Sequence, residues 1–303
     1  MLQVTNVTKT YGEFKAVSDL SFTADKGKIY GLIGPNGAGK STTIRIIMNI
    51  LSPDSGLIEL DGKAFAEEDR NRIGYLPEER GLYKKQKLID VLLYLAALKG
   101  CPASLALERI DYWLARFNLI DWKNKKIDTL SKGMSQKVQF ISTIIHDPEV
   151  IFLDEPFSGL DPVSADEMLS IIREMKEKGK LILFSTHVME QAEKVCDHII
   201  MLNKGIKILD GDIGEIRKAY GLNSVALSFA DAETGVVFLE SLDTVASAYE
   251  EGDHFIVTLA PGSECDDLFL SLAGKAHVRS FMMNEPSLHT IFVNLVQGKG
   301  VIK

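Results

Sequence analysis

The residues Gly34-Pro35-Asn36-Gly37-Ala38-Gly39-Lys40-Ser41 fit the spacing G-x-x-x-x-G-K-[ST]. Such a run binds phosphate. Its glycines let the backbone curl without a Cβ in the way, and its N–H groups point at an anion from the start of a helix. Lys40 is expected to reach the β- and γ-phosphates of a nucleotide, and Ser41 to bind Mg²⁺. A second constellation ends the run Val150-Ile151-Phe152-Leu153-Asp154-Glu155. There Asp154 can hold Mg²⁺, and Glu155, one residue on, can accept a proton from an attacking water.

These groups need a scaffold. The run Lys28–Ile33 reads as a buried strand leading into the loop, and Thr42–Ile50 as the helix after it. Ahead of them, Leu2–Thr10 and Ala16–Ala24 read as strands, and Gly56–Asp61 and Arg72–Leu76 follow as two more. From Lys87 the apolar period becomes helical, so a helical insert is expected over about 84–146, closing with a helix at Ser135–Ile145. Strand and helix then alternate again through Val150–Leu153, Val163–Lys178, Leu181–Ser185 and Met189–Val195, with a hairpin around Asn203-Lys204-Gly205. Alternation of this kind implies a mainly parallel sheet covered by helices. After about Tyr220 the order becomes β-α-β-β-α-β: Ser224–Phe229, Ala232–Ser241, Val245–Tyr249, His254–Leu259, Glu264–Ala273 and Val278–Met283, then a helix at Pro286–Val296. That order predicts a small ferredoxin-like α+β domain at 221–303 behind a first domain at 1–220.

Composition narrows the functional classes. A chain of 303 residues has room for two domains, and its net charge of −8 opposes a nucleic-acid-binding face. Cys101, Cys196 and Cys265 are far apart, which indicates neither a disulfide framework nor a zinc site. The N-terminus shows no signal-peptide pattern, and no apolar run approaches a membrane span. A cytoplasmic protein is expected, reaching a membrane only by way of a partner.

Four further segments carry a resemblance. Leu130-Ser131-Lys132-Gly133-Met134-Ser135-Gln136 is similar to the LSGGQ signature of ABC (ATP-binding cassette) proteins. Ser131 and Gly133 match it, while Lys132 and Met134 depart. Ser158-Gly159-Leu160-Asp161 resembles the D-loop of that family, and His187, after Ser185-Thr186, its switch histidine. Tyr11 precedes Gly12 where the family places an aromatic that stacks on adenine. Together these resemble an ABC ATPase cassette over residues 1 to about 220.

The resemblance implies a P-loop NTPase of α/β class, with an N-terminal antiparallel β part and a helical subdomain. It implies ATP and Mg²⁺ as cofactors. The nucleotide would be held by Tyr11, by the loop Gly34, Pro35, Asn36, Gly37, Ala38, Gly39, Lys40, Ser41 and Thr42, and by Glu78; Ser131, Gly133 and Asp161 would serve it from a second cassette. Ser41, Asp154 and Glu78 would serve the metal, with Glu155 and His187 catalytic. Glu78 stands where transporter cassettes usually carry Gln. With LSKGM and Glu285-Pro286-Ser287-Leu288, it makes the chain similar to cassettes of bacterial sodium- and drug-efflux exporters bearing a C-terminal accessory domain. The implied partners are an integral membrane permease and a second cassette, in a homodimer or heterodimer, with the chain peripheral on the inner face of the cell membrane. An importer cassette is the nearest alternative. A soluble ABC ATPase of translation or DNA repair lacks support, because one phosphate loop and no long coiled-coil insert are present. A phosphotransferase would leave LSKGM, SGLD and STH without a role.

Overall fold

The computed structural model describes residues 1–79, 81–221, 224–230, 237–239, 241–260, 262–284 and 286–297, in two compact units, 1–213 and 214–303.

The first unit opens with an antiparallel sheet. Strands β1 (Leu2–Tyr11) and β2 (Phe14–Ala24) form a hairpin, and β4 (Ser55–Leu60) and β5 (Lys63–Ala64) complete the order β2-β1-β4-β5. The second sheet contains β3 (Ile29–Ile33), β6 (Ile73–Leu76), β7 (Val150–Asp154), β8 (Leu181–Thr186), β9 (His198–Asn203) and β10 (Ile206–Asp212) in the order β10-β9-β3-β8-β7-β6. All of it is parallel except β10. Every residue of β3, β7 and β8 is buried, which is why these strands read as unbroken apolar runs. Each fully buried Leu, Ile or Phe there contributes on the order of 1.5–3 kcal/mol.

The register sets the site. Ile33 lies opposite Thr186, Asp154 opposite Ser185, and Leu76 opposite Leu153. The loop after β3, the carboxylates after β7, the Ser185–His187 segment and Glu78 therefore gather at the same ends of neighbouring strands. Helix α1 (Lys40–Ile47) begins two residues earlier than its apolar pattern suggests and stops before Asn49, whose φ of +53° ends the helical backbone. The helical insert consists of α2 (Leu88–Leu98), α3 (Ala103–Arg116) and α4 (Lys132–Ile144). Helices α5 (Pro162–Glu177) and α6 (Met189–Val195) follow. Helix α7 (Ile213–Gly221), which starts at the last residue of the first unit, was not anticipated.

The second unit holds β11 (Ser224–Phe229), β12 (Val245–Glu251), β13 (His254–Leu259), α8 (Cys265–Leu272), β14 (Val278–Met283) and α9 (Leu288–Val296). Its sheet runs β12-β13-β11-β14, antiparallel throughout. This is the strand order that the split β-α-β arrangement requires. The helix expected at 232–241 falls largely outside the described residues; 237–239 are helical. Val225, Leu227, Val257 and Leu268 are fully buried, giving the unit a core of its own.

Candidate functional site

The loop between β3 and α1 is shaped by backbone that a side chain would disturb. A Cβ on Gly34 would sit 2.2 Å from the Leu202 carbonyl oxygen, and one on Gly39 2.4 Å from that of Ala16. Gly39 also has a φ of +104°, and it starts α1 without any side-chain cap. The first-turn N–H groups of α1 are thus left to whatever enters the cleft. The β9–β10 turn braces the loop: Gly205 N–H donates to the Ala38 carbonyl (3.1 Å), and Gly205's carbonyl accepts from Ser18 N–H (2.8 Å).

Around the loop lies a cleft of about 360 Å³. It brings together Tyr11, Asn36 through Thr42, Glu78, Asp154 and Glu155. Gly34 and Pro35 frame it from behind, where their carbonyls accept hydrogen bonds from Lys40 Nζ at 2.8 and 3.2 Å. Lys40 is 7% exposed. Burial pushes its ammonium below the ordinary lysine value, and the charges of Glu155, Asp154 and Glu78 oppose that shift.

The two adjacent carboxylates are held differently. Asp154, buried at the end of β7, accepts a hydrogen bond from the Ser185 hydroxyl. Glu155 sits in left-handed backbone, with a φ of +49°. Such a conformation is uncommon for a residue with a Cβ and turns the chain sharply after the strand. Its Oε1 accepts from the His187 backbone N–H at 2.8 Å and lies 2.6 Å from His187 Nδ1. Its Oε2 accepts from the Thr186 hydroxyl at 3.1 Å. His187 therefore joins the cleft through Glu155.

Three expected residues do not line this cleft: Ser131, Gly133 and Asp161. Ser131 caps α4, its Oγ accepting from Met134 N–H at 3.2 Å. Asp161 caps α5, accepting from the Ser164 N–H at 3.0 Å and its hydroxyl at 2.7 Å. These hydrogen bonds hold its carboxyl below the ordinary aspartate value. The two segments are neighbours, since a Cβ on Gly133 would lie 3.7 Å from Leu160. The first turn of α4 contains Lys132 and no acid. A cation there opposes the helix dipole, so this helix start stays electropositive although it is capped.

Phe14 was missed. It lines the cleft with Tyr11, is 58% exposed, and is Tyr11's cross-strand partner at the β1–β2 turn. Paired positions of an antiparallel ribbon share a face, so the two rings lie on the same side of the hairpin. The two-residue gap Gly12-Glu13 was the available signal.

The oxygen donors Ser41, Asp154 and Glu78 suit a hard cation such as Mg²⁺. Among the described residues, no cluster of three or more His, Cys, Asp or Glu could hold a metal by itself. That fits an ion bound by one or two carboxylates together with substrate phosphate oxygens.

Comparison with known proteins agrees with this geometry. Residues 17–158 match the family model described as ABC transporter, and residues 211–296 the model described as ATP-binding protein DrrA1-3-like, C-terminal domain. The chain is 42% identical over 296 residues to the uncharacterized ABC transporter ATP-binding protein YhaQ of Bacillus subtilis, covering 98% of each. It is 35% identical over 234 residues to the Nod factor export ATP-binding protein I of Burkholderia orbicola, covering 73% of this chain and 77% of the relative. A solved structure of the ATP binding subunit of an ABC transporter superposes with a TM-score of 0.68 at 34% identity, covering 73% of this chain and 94% of that one. The phosphate loop, the paired carboxylates and a match that extends through both units lead to one conclusion: the chain belongs to the ABC transporter ATP-binding proteins, a family of nucleotide-binding ATPases.

Proposed function

We propose that this chain is the ATP-hydrolysing subunit of an exporter whose membrane-spanning part is a separate permease, and that it works at the inner face of the membrane as one of two cassettes. The observation that carries this reading is the meeting of Lys40, Ser41, Asp154 and a clamped Glu155 around a single phosphate loop. Loop N–H groups and Lys40 bind the β- and γ-phosphates. Tyr11 stacks on the base. Ser41, Asp154 and Glu78 would hold Mg²⁺, which would supply positive charge to neutralise the phosphates. Glu155, oriented by Thr186 and His187, takes the proton of the attacking water. His187 keeps the carboxylate aimed, and its resemblance to the family's switch histidine supports a role in sensing the γ-phosphate.

A second cassette is supported by the placement of Ser131, Gly133 and Asp161 outside this chain's own cleft. Ser131 and Gly133 at the electropositive start of α4, with Asp161 capping α5 after the neighbouring Leu160, are suited to the nucleotide of a partner arranged head to tail. The chain is thus proposed as a cassette at 1–220, with its helical subdomain at about 84–146, and an accessory domain at 221–303.

Among the described residues, no helix is long and apolar enough to cross a membrane. A permease in trans is proposed to supply the transport path. The segment Glu79–Leu88, of which Arg80 lies outside the described residues, is proposed to receive it. Gln139 Nε2 donates to the Pro77 and Glu79 carbonyls, tying the Glu78 loop to α4. Tyr83, 54% exposed, packs edge to face on Tyr94 of α2 beside a groove of about 300 Å³. Export is favoured by the Nod factor export relative and by the accessory-domain match.

Co-purification from membranes tests the reading. A polytopic membrane protein is expected with the native chain and is lost when Leu82 and Tyr83 are both changed to Asp, while ATP binding persists. A complex that survives both charges places the docking surface elsewhere.

A further inference from the structure

A groove of the second unit lies between α8 and β14, with a volume of about 670 Å³. Its floor is apolar: Phe269, Leu272, Ala276, Val278 and Phe281 line it, with Phe269 and Phe281 edge to face at 5.2 Å. Its rim carries basic residues. His277 and Arg279 line it and Lys275 precedes them, and none of these three side chains has a hydrogen-bond or ion-pair partner among the described residues.

β14 is also an edge of its sheet. Ser228 pairs with Ser280 and Phe229 with Val278, so Arg279 is the extra residue of a bulge that aims it away from the ladder. Beyond the bulge, pairing is regular through Met283. Asn284 N–H donates to the Ser224 carbonyl at 3.0 Å. Counting back by the alternation of an antiparallel ladder, the backbone N–H and C=O of Phe281 and Met283 face away from β11. Edges that must stay free usually carry charge. The opposite edge, β12, carries the exposed Glu250, but Phe281, Met282 and Met283 carry none, and Met283 is 67% exposed.

We propose that the β14 edge and the groove beside it capture an extended, acidic segment of a partner protein as an added strand. Main-chain bonds would form with Phe281 and Met283, alternate apolar side chains would enter the groove, and carboxylates would meet Arg279, His277 and Lys275. Charge decides the occupant. In a chain of net charge −8, Arg279 lines this groove and Lys275 lies close by in sequence, both without an ion-pair partner among the described residues, which suits an anionic ligand.

The test uses the full chain and two blocked, fluorescein-labelled peptides, one alternating Val with Glu and one alternating Val with Lys, read by anisotropy at about 0.15 M salt. The acidic peptide is expected to bind at least tenfold more tightly than the basic one. Arg279→Glu should abolish or reverse that preference. Met283→Pro removes an outward N–H without removing a ladder bond, and should weaken the acidic peptide at least tenfold. Neither Arg279 nor Met283 is among the residues that line the nucleotide cleft, and ATP turnover and thermal unfolding should stay as in the parent. No saturable acidic-peptide binding, or a Met283→Pro variant that binds like the parent, overturns the proposal. Arg279-dependent binding to phosphatidylglycerol vesicles without peptide binding overturns it in favour of a lipid surface. A dimer dissolved by Met283→Pro overturns it in favour of a second copy.

Discussion

Two helices of the first unit start at segments expected to meet phosphate, and they start in opposite ways. α1 begins at Gly39, in left-handed backbone and with no side-chain cap, pressed against the Ala16 carbonyl. α4 begins at Ser131, whose hydroxyl already satisfies the Met134 N–H. The first start is rigid and leaves its donors open. The second has its cap satisfied within the chain, and the Ser131 hydroxyl, while accepting from Met134 N–H, keeps its own proton to donate to a phosphate oxygen. In the proposed two-cassette arrangement, one side of the site would thus offer open backbone donors and the other a hydroxyl already held in place by its cap.

Changes beside α1 should give the largest effects. Replacing Glu155 with Gln keeps its hydrogen-bonded position but removes the proton acceptor. Steady-state ATP hydrolysis is expected to fall roughly 10²–10⁴-fold with ATP binding retained; near-normal turnover would remove Glu155 from its role as base. Gly39→Ala puts a methyl group against the Ala16 carbonyl in backbone that disfavours it. A stability loss of roughly 1–3 kcal/mol is expected by chemical denaturation, together with weaker ATP binding in titrations. Parent-like values for both would mean that the loop is not as tightly braced as its geometry implies.

The self-capped side should respond more mildly. Ser131→Ala is expected to cost about 1 kcal/mol of stability, the ordinary value of an N-cap. ATP binding to a single chain should be unchanged while turnover in the assembled dimer drops. If single-chain ATP binding weakened as much as in Gly39→Ala, the contrast between the two helix starts would collapse.

The smallest effect concerns α5, capped by a carboxylate where α4 uses a hydroxyl. Asp161 has a lowered pKa in the fold, so its stabilisation is present above the ordinary aspartate value of 3.8 and fades as pH falls through the lower folded value. The stability difference between the parent and Asp161→Asn should therefore shrink on acidification below that value. The difference between the parent and Ser131→Ala should not follow that titration. Unfolding of both variants across pH separates the two.

What the sequence made legible follows from how local each feature is. The phosphate loop and Asp154-Glu155 are strand-to-turn patterns fixed by near neighbours, and their strands are buried on both faces, so composition alone marked them. The start of α4 was placed three residues late, at Ser135, because Lys132-Gly133-Met134 shows no helical period; the Ser131 cap decides that boundary. β5, two residues long, has too short a pattern to read. Phe14 escaped because its place in the cleft depends on pairing across the β1–β2 hairpin. The clamp of His187 and Thr186 on Glu155 escaped for the same reason: it joins residues about thirty positions apart through the β7–β8 register.

The brace from Gly205 to the phosphate loop also has a consequence for synthesis. β3, which delivers the loop, lies between β8 and β9, and the loop is held through Ala38 by a turn at Gly205. The loop therefore leaves the ribosome long before any of its supports. At 5–20 residues per second, roughly 10–30 s separate the making of Ser41 from that of Gly205. During that interval the nascent chain carries a phosphate-binding sequence without a phosphate-binding shape. ATP can assist folding only near the end of the cassette's translation, when β9 and its turn have closed over the loop.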